Sequence, residues 1–329
     1  MTEALNFTPK ALDDLRSMAG RTFLTEFDRE GVDFIADVLS RAEVFVLPDA
    51  GQLLERNKPR PQVPGIMFCP PFPAVALEYR GAERDWHDPV FEQIRCSKRI
   101  SLAWLWDGNF PIRGVGQAEP GFPQPGEAVA IASIVYIDDR RMWVPVPAAV
   151  LLPFDAIYEK PRSTAFREAM RKTGRITKAQ YEADALRMEY MLPILPSTIA
   201  TVATRDGFEA AIEMIGADLM DEVNAYLDTC LALACTNVHA VRQPRPEKLN
   251  RARIKAGKVP LKDFHVLNVG GHDLGSVVGD GGSGGRRAHL RRGHIRRLGP
   301  ERVTWVNACI VAGNRPGFAE KNYSMGVRG

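Results

Sequence analysis

The sequence lacks the marks of a membrane protein, a disulfide-stapled scaffold or a metal centre. Its longest largely apolar run is "AVAIASIVYI", residues 128–137. A membrane-spanning helix needs about 20 such residues. The opening "MTEALNFTPK" carries neither a basic leader nor an apolar signal core. The expectation is therefore a cytoplasmic protein of a host cell with no membrane partner. Five cysteines, at positions 69, 96, 230, 235 and 309, are odd in number and show no metal-ligand spacing. Reduced, mostly buried thiols fit this pattern better than a disulfide framework. His265 and His272 added to His289 and His294 would form the best zinc set on offer, but their spacing fits no ordinary template, and Cys309 reads as a core residue. "GDGGSGG" is not followed by Lys-Ser or Lys-Thr, so it is not a phosphate-binding P-loop. No cofactor and no metal are expected.

Acidic residues are scarce at one end. From Val241 onward there are 18 Lys and Arg against 6 Asp and Glu, a net charge of +12, whereas the preceding residues carry a net charge of −9. A basic end on an acidic body points to a polyanionic partner and says nothing about fold. This shift divides the chain into an acidic body, 1–240, and a basic C-terminal segment, 241–329, packed on the same sheet. A glycine-rich run at 270–285, with eight glycines, reads as a mobile loop.

The body begins with helix signals: Thr8 as cap, Pro9 at the first helical position and Gly20 at the exit. A second helix is expected over Asp33–Ala42. "GIMFC", "AVALEY", "ISLAWLW" and "AVAIASIVYI" read as strands, "YIDDRRMW" as a hairpin, and "PVPAAVLLPF" as an edge or bulged strand because of its prolines. Thr177 with Gln180 suggests a capping box. The clearest helix starts at Gly207, with Phe208, Ile212, Ile215, Leu219, Val223, Tyr226 and Cys230 along one stripe. Residues 241–263 read as an extended basic segment. A strand at Phe264–Val269 and a buried strand in "RVTWVNACIVAG" follow. Helices and strands come in blocks, which predicts an α+β fold: a mixed, mainly antiparallel sheet packed by a long amphipathic helix.

The densest chemistry lies in "RRAHLRRGHIRR", 286–297, with six arginines and two histidines in twelve residues. Arginine grips phosphate with a planar pair of donors. As one continuous strand, Arg287, His289, Arg291, Gly293 and Ile295 would share a face, and Gly293 would admit a phosphate. The candidate RNA-binding set is Arg287, Arg291, Arg292, Gly293, Arg296 and Arg297, joined by Arg253, Lys255 and Lys258 from "NRARIKAGK". His289 and His294 can also serve as base and acid in RNA cleavage, since their pKa lies near neutrality. His294 is the stronger candidate because it follows Gly293. "ERDWHD", 83–88, reads as a polar loop.

"AHLRRGHIRR" followed by "VTWVNACIVAG" resembles the C-terminal signature of the phage and plasmid family of a type V-A anti-CRISPR protein that acts on its target nuclease's messenger RNA. The likeness falls on His289, Arg291, Arg292, Gly293, His294 and Trp305, with Trp305 in a structural place beside the site. Ile295 stands where the family often has an aromatic residue. The resemblance implies an inhibitor that recognises a nascent defence protein, such as the N-terminal peptide of a CRISPR effector nuclease on the ribosome, and triggers loss of its message. The alternatives are an endoribonuclease using His289 and His294, and a non-enzymatic interaction module whose basic segment latches onto its own acidic body.

Overall fold

The computed structural model describes residues 5–21, 24–54, 63–81, 95–111, 122–155, 190–269, 287–291, 294–299, 302–306, 309–311 and 315–318. The expectations for Thr177, the 83–88 loop and the 270–285 run lie outside these residues. What is described is α+β: helices packed on a mixed, mostly antiparallel sheet.

The sheet comprises nine strands among the described residues. Their order is β7 (Tyr190–Pro193), β6 (Ala148–Pro153), β4 (Ala128–Ile137), β3 (Cys96–Leu105), β2 (Ala74–Arg80), β1 (Glu43–Val46), β9 (Phe264–Val269) and β8 (Val238–Gln243), with β5 (Met142–Pro145) paired to β4. β1 runs parallel to β2 and to β9, and the other pairings are antiparallel. One face is covered by α1 (Phe7–Ala19) and α2 (Glu26–Arg41), whose Leu12, Leu15, Ile35 and Leu39 meet Val44, Ala76, Leu102 and Ala130. The other face is covered by α4 (Phe208–Leu233), which follows α3 (Pro196–Asp206) and sets Leu219, Val223, Tyr226 and Cys230 against Phe45, Leu77, Ile131 and Val150. Burial on both faces explains why the longest apolar run is β4, an interior strand of the sheet: a half-exposed strand would alternate.

Several expectations change. Asn6, not Thr8, precedes α1; Thr8 is fully buried in the first turn, where its N–H donates to Glu78 Oε1 at 2.7 Å. α2 begins seven residues earlier than expected, at Glu26, through a capping box between Thr25 and Asp28. The interior glycine of this helix is required by packing: a Cβ on Gly31 would stand 2.0 Å from the carbonyl oxygen of Ile194. "GIMFC" is not a strand. Gly65–Phe68 is a single 3-10 turn entered from Pro64. β6 lies between β7 and β4, with prolines at or beyond its ends, where the ladder loses nothing. Phe208 is 67% exposed and does not belong to the inward stripe of α4.

The basic segment also holds more regular structure than expected. β8 and β9 are joined by α5 (Glu247–Lys255) rather than by extended chain, and the 240/241 boundary falls inside β8. "RVTWVNACIVAG" contains two strands, β12 (Arg302–Val306) and β13 (Cys309–Val311). β12 forms a hairpin with β11 (His294–Gly299), whereas β13 pairs with β10 (Arg287–Arg291), which also pairs with β14 (Arg315–Phe318).

Candidate nucleic-acid interface

The basic residues sort into two groups, those bound into the fold and those presented to solvent. α5 shows the division most clearly. Lys248, Arg251 and Lys255 recur at helical spacing, share one face and are exposed, as is Lys258 just beyond. Arg251 is paired with Glu247 at 3.2 Å, an exposed ion pair of small energetic weight. Arg253 points elsewhere: it is half-buried and its Nε donates to Val259 O at 2.9 Å. The Asn250 side chain closes the same loop, accepting from Leu261 N and donating to Leu261 O.

Other cations of the segment are structural. Arg245 lies over the Phe264 ring, 4.4 Å from its centroid, and its Nε donates to Lys262 O. Burial lowers its pKa, partly offset by Glu78 and Asp263. Lys262 donates to the carbonyls of Leu39 and Ala42, the negative end of the α2 dipole. Burial also lowers its pKa, against the pull of Glu43. Arg242, on β8, is exposed and pairs with Asp263 at 2.8 Å. His265 is buried in β9, stacked on Phe45 with its Nε2 3.3 Å from Glu43, so it takes no part in an exposed site.

The twelve-residue arginine block does not form one strand. His289 lies in β10, opposite Val311, whereas His294 opens β11, opposite Val306. The single-face arrangement of Arg287, His289, Arg291 and Ile295 is therefore replaced by two strands in two separate sheets. Arg287 pairs with Arg315, Arg291 with Cys309, Arg297 with Val303, and Trp305 with Ile295. Arg292 and Gly293 lie outside the described residues.

Among the described residues, the β11–β12 hairpin is fastened to the body around Val303. Val303 is 2% exposed and packs into the α4-side core, with Ile295 half-buried against the same core. Val303 bridges Cys235, Thr236 N–H donates to Val303 O at 3.1 Å, and Thr304 Oγ1 donates to Asn237 Oδ1 at 3.1 Å. Anchored this way, the hairpin presents Arg296 and Arg302 to solvent. Its foot adjoins the start of β8. That strand runs for six residues, about 20 Å, with His239 and Arg242 exposed, and then leads towards α5. Hairpin, edge strand and helix thus follow one another along the β8 end of the chain, each with exposed basic side chains. The arginine block signals such a surface in the sequence. Lys248, Arg251, His239, Arg242 and Arg302 escape a sequence reading, although the three-and-four spacing of 248, 251 and 255 is a helical signal.

A second charged cluster is internal. Arg99 Nε lies 2.7 Å from Glu222 Oε1 and the Tyr79 hydroxyl donates to the same oxygen at 2.9 Å, beneath α4. Burial pushes the Glu222 carboxyl up, while Arg99 pulls it down. Glu222 has no exposure, so this cluster ties α4 to β2 and β3 and offers nothing to a ligand.

No family model matches the sequence, and neither a curated protein nor a solved structure is significantly similar to it. Among the described residues, no helix is long and apolar enough to cross a membrane.

Proposed function

We propose that the chain is an RNA-binding protein that grips phosphates along the ridge from the β11–β12 hairpin, past β8, to α5. The observation that carries this reading is the exposed cation row Lys248, Arg251, Lys255 and Lys258, with Arg296 and Arg302 on the anchored hairpin. Following the C-terminal resemblance, the bound RNA belongs to a message or a ribosome–nascent-chain complex, and the body recognises the emerging defence protein. The outcome is loss of that message, as in an anti-CRISPR inhibitor of the phage and plasmid type.

The test is fluorescence anisotropy of a labelled single-stranded RNA with the full chain over a salt series. Replacing Lys248, Arg251, Lys255 and Lys258 with Ala reduces the log–log salt slope by about 0.7 for each phosphate that is no longer neutralised. An unchanged slope overturns the ridge as the RNA site. His294→Gln keeps a hydrogen-bonding side chain and retains message depletion if the role is binding. Equal loss in His294→Gln and His294→Ala, with RNA still bound, would instead mark a catalytic imidazole.

A further inference from the structure

Away from the ridge, an open cavity of about 260 Å³ lies between the end of α4 and the turn that precedes β2. It is lined by Met67, Cys69, Pro71, Cys230, Leu233 and Ala234. Three of these six residues carry sulfur, and none carries a charge, an amide or a carboxylate.

The fold builds this convergence from two sides. A Cβ on Gly65 would stand 1.6 Å from Phe154 O, so only glycine lets the 3-10 turn press onto that carbonyl. The Tyr226 hydroxyl donates to Phe68 O at 2.7 Å and pins the turn to α4. Met67 and Cys69 are thereby set on the same cavity as Cys230, one helical turn beyond Tyr226. Cys230 is 3% exposed and Cys69 half-buried, so one thiol forms the floor and the other the rim. Burial pushes Cys230 up to about 12 and raises Cys69 as well. Such thiols are poor nucleophiles at neutral pH, which argues against a reactive dithiol. Coordination to a metal replaces the proton and removes that handicap.

Soft thiolate and thioether donors select soft ions, and a lining whose side chains carry no oxygen disfavours calcium, magnesium and manganese. We infer that this cavity is a copper(I) site, held by the Cys69 and Cys230 thiolates and the Met67 thioether. Two S–H bonds break and two Cu–S bonds form, the thioether donates a lone pair, and two protons pass to solvent. Copper remains in the +1 state and no electron moves.

The experiment is an anaerobic competition between the reduced full-length protein and bathocuproine disulfonate for copper(I). One copper(I) per chain is expected to resist the competitor in the wild type. Cys69→Ser, at a half-buried position, loses it. Met67→Leu preserves the apolar volume and weakens retention by about tenfold, the size of effect that ligand-shell changes commonly produce. Cys96→Ser leaves it unchanged. Because two protons leave, apparent affinity rises by about a hundredfold per pH unit near neutrality. Surrender of all copper by the wild type overturns the site. Retention by Cys69→Ser, an unaltered affinity in Met67→Leu, or no dependence on pH does the same. Thermal melts of each apo variant separate lost copper from lost fold.

Discussion

The nine-stranded sheet and the β11–β12 hairpin hold their places by different means. Across the sheet, β2, β3, β4 and β6 bury side chains on both faces, and even the charged Arg99–Glu222 pair is internal. Among the described residues, the hairpin reaches the core through Val303 and Ile295, while Arg296, Leu298 and Arg302 are exposed. A dense body thus carries a lightly fastened charged appendage. Damage to the first should unfold the protein, whereas damage to the second should separate binding from stability.

The largest effect expected is that of Arg99→Met. Removing the guanidinium leaves the fully buried Glu222 carboxyl without its counter-charge, at a cost of about 3–5 kcal/mol. Chemical denaturation measures it, and a loss below about 1 kcal/mol would mean that the pair is not a structural member of the core. Gly31→Ala comes next. Its methyl meets the Ile194 main chain, which cannot rotate away as a side chain would, so about 1–3 kcal/mol should be lost. Ala is otherwise the better helix former, and a stabilised variant would show that α2 does not approach residue 194 as described.

Val303→Asp tests the other side of the comparison. A carboxylate cannot occupy the apolar seat, so the hairpin should detach and become cleavable by trypsin. RNA affinity falls while the melting of the large sheet stays nearly unchanged. Joint loss of both would merge the two regions into one cooperative unit. The smallest effect concerns Asp28. Burial raises its pKa, but hydrogen bonds from Ser197 and Thr25 outweigh this and leave it below the ordinary value. The stability it contributes is therefore complete above about pH 4, the unfolded carboxylate range, and is lost as pH falls through its depressed folded value. Asp28→Asn should flatten the acid limb of the stability curve between those limits, and an identical limb would remove Asp28 from the account.

Legibility in the sequence follows the same division. β2, β3, β4 and α4 are readable because their burial is written locally, as uninterrupted apolar runs and a helical stripe. The start of α2 is hidden by Gly31, which looks like a breaker and in fact packs against residue 194, distant in sequence. α5 is hidden by the prolines around it and by its charge, since a helix with no buried residue shows no apolar period. Of the interface, the charge is visible but its sorting is not. Arg245 and Lys262 are indistinguishable in sequence from Lys255 and Lys258. Only the fold brings Phe264 and the last carbonyls of α2 against the first two.

The position of β8 has a consequence for self-association. It ends the described order of the large sheet, and His239, Ala240, Val241 and Arg242 are exposed one after another. An edge of this kind invites a second copy to add its own edge and continue the ladder. In a centred antiparallel pairing of two β8 strands, Arg242 of each copy would face His239 of the other, with both cation rows brought alongside. Arg242 is held by Asp263 of its own chain, so what guards the edge against such pairing is the cation row of α5 just beyond it, and that guard holds only while those charges lack counter-charges. A polyanion that occupies the ridge must therefore also cover the strand, or it strips the molecule of its protection against stacking.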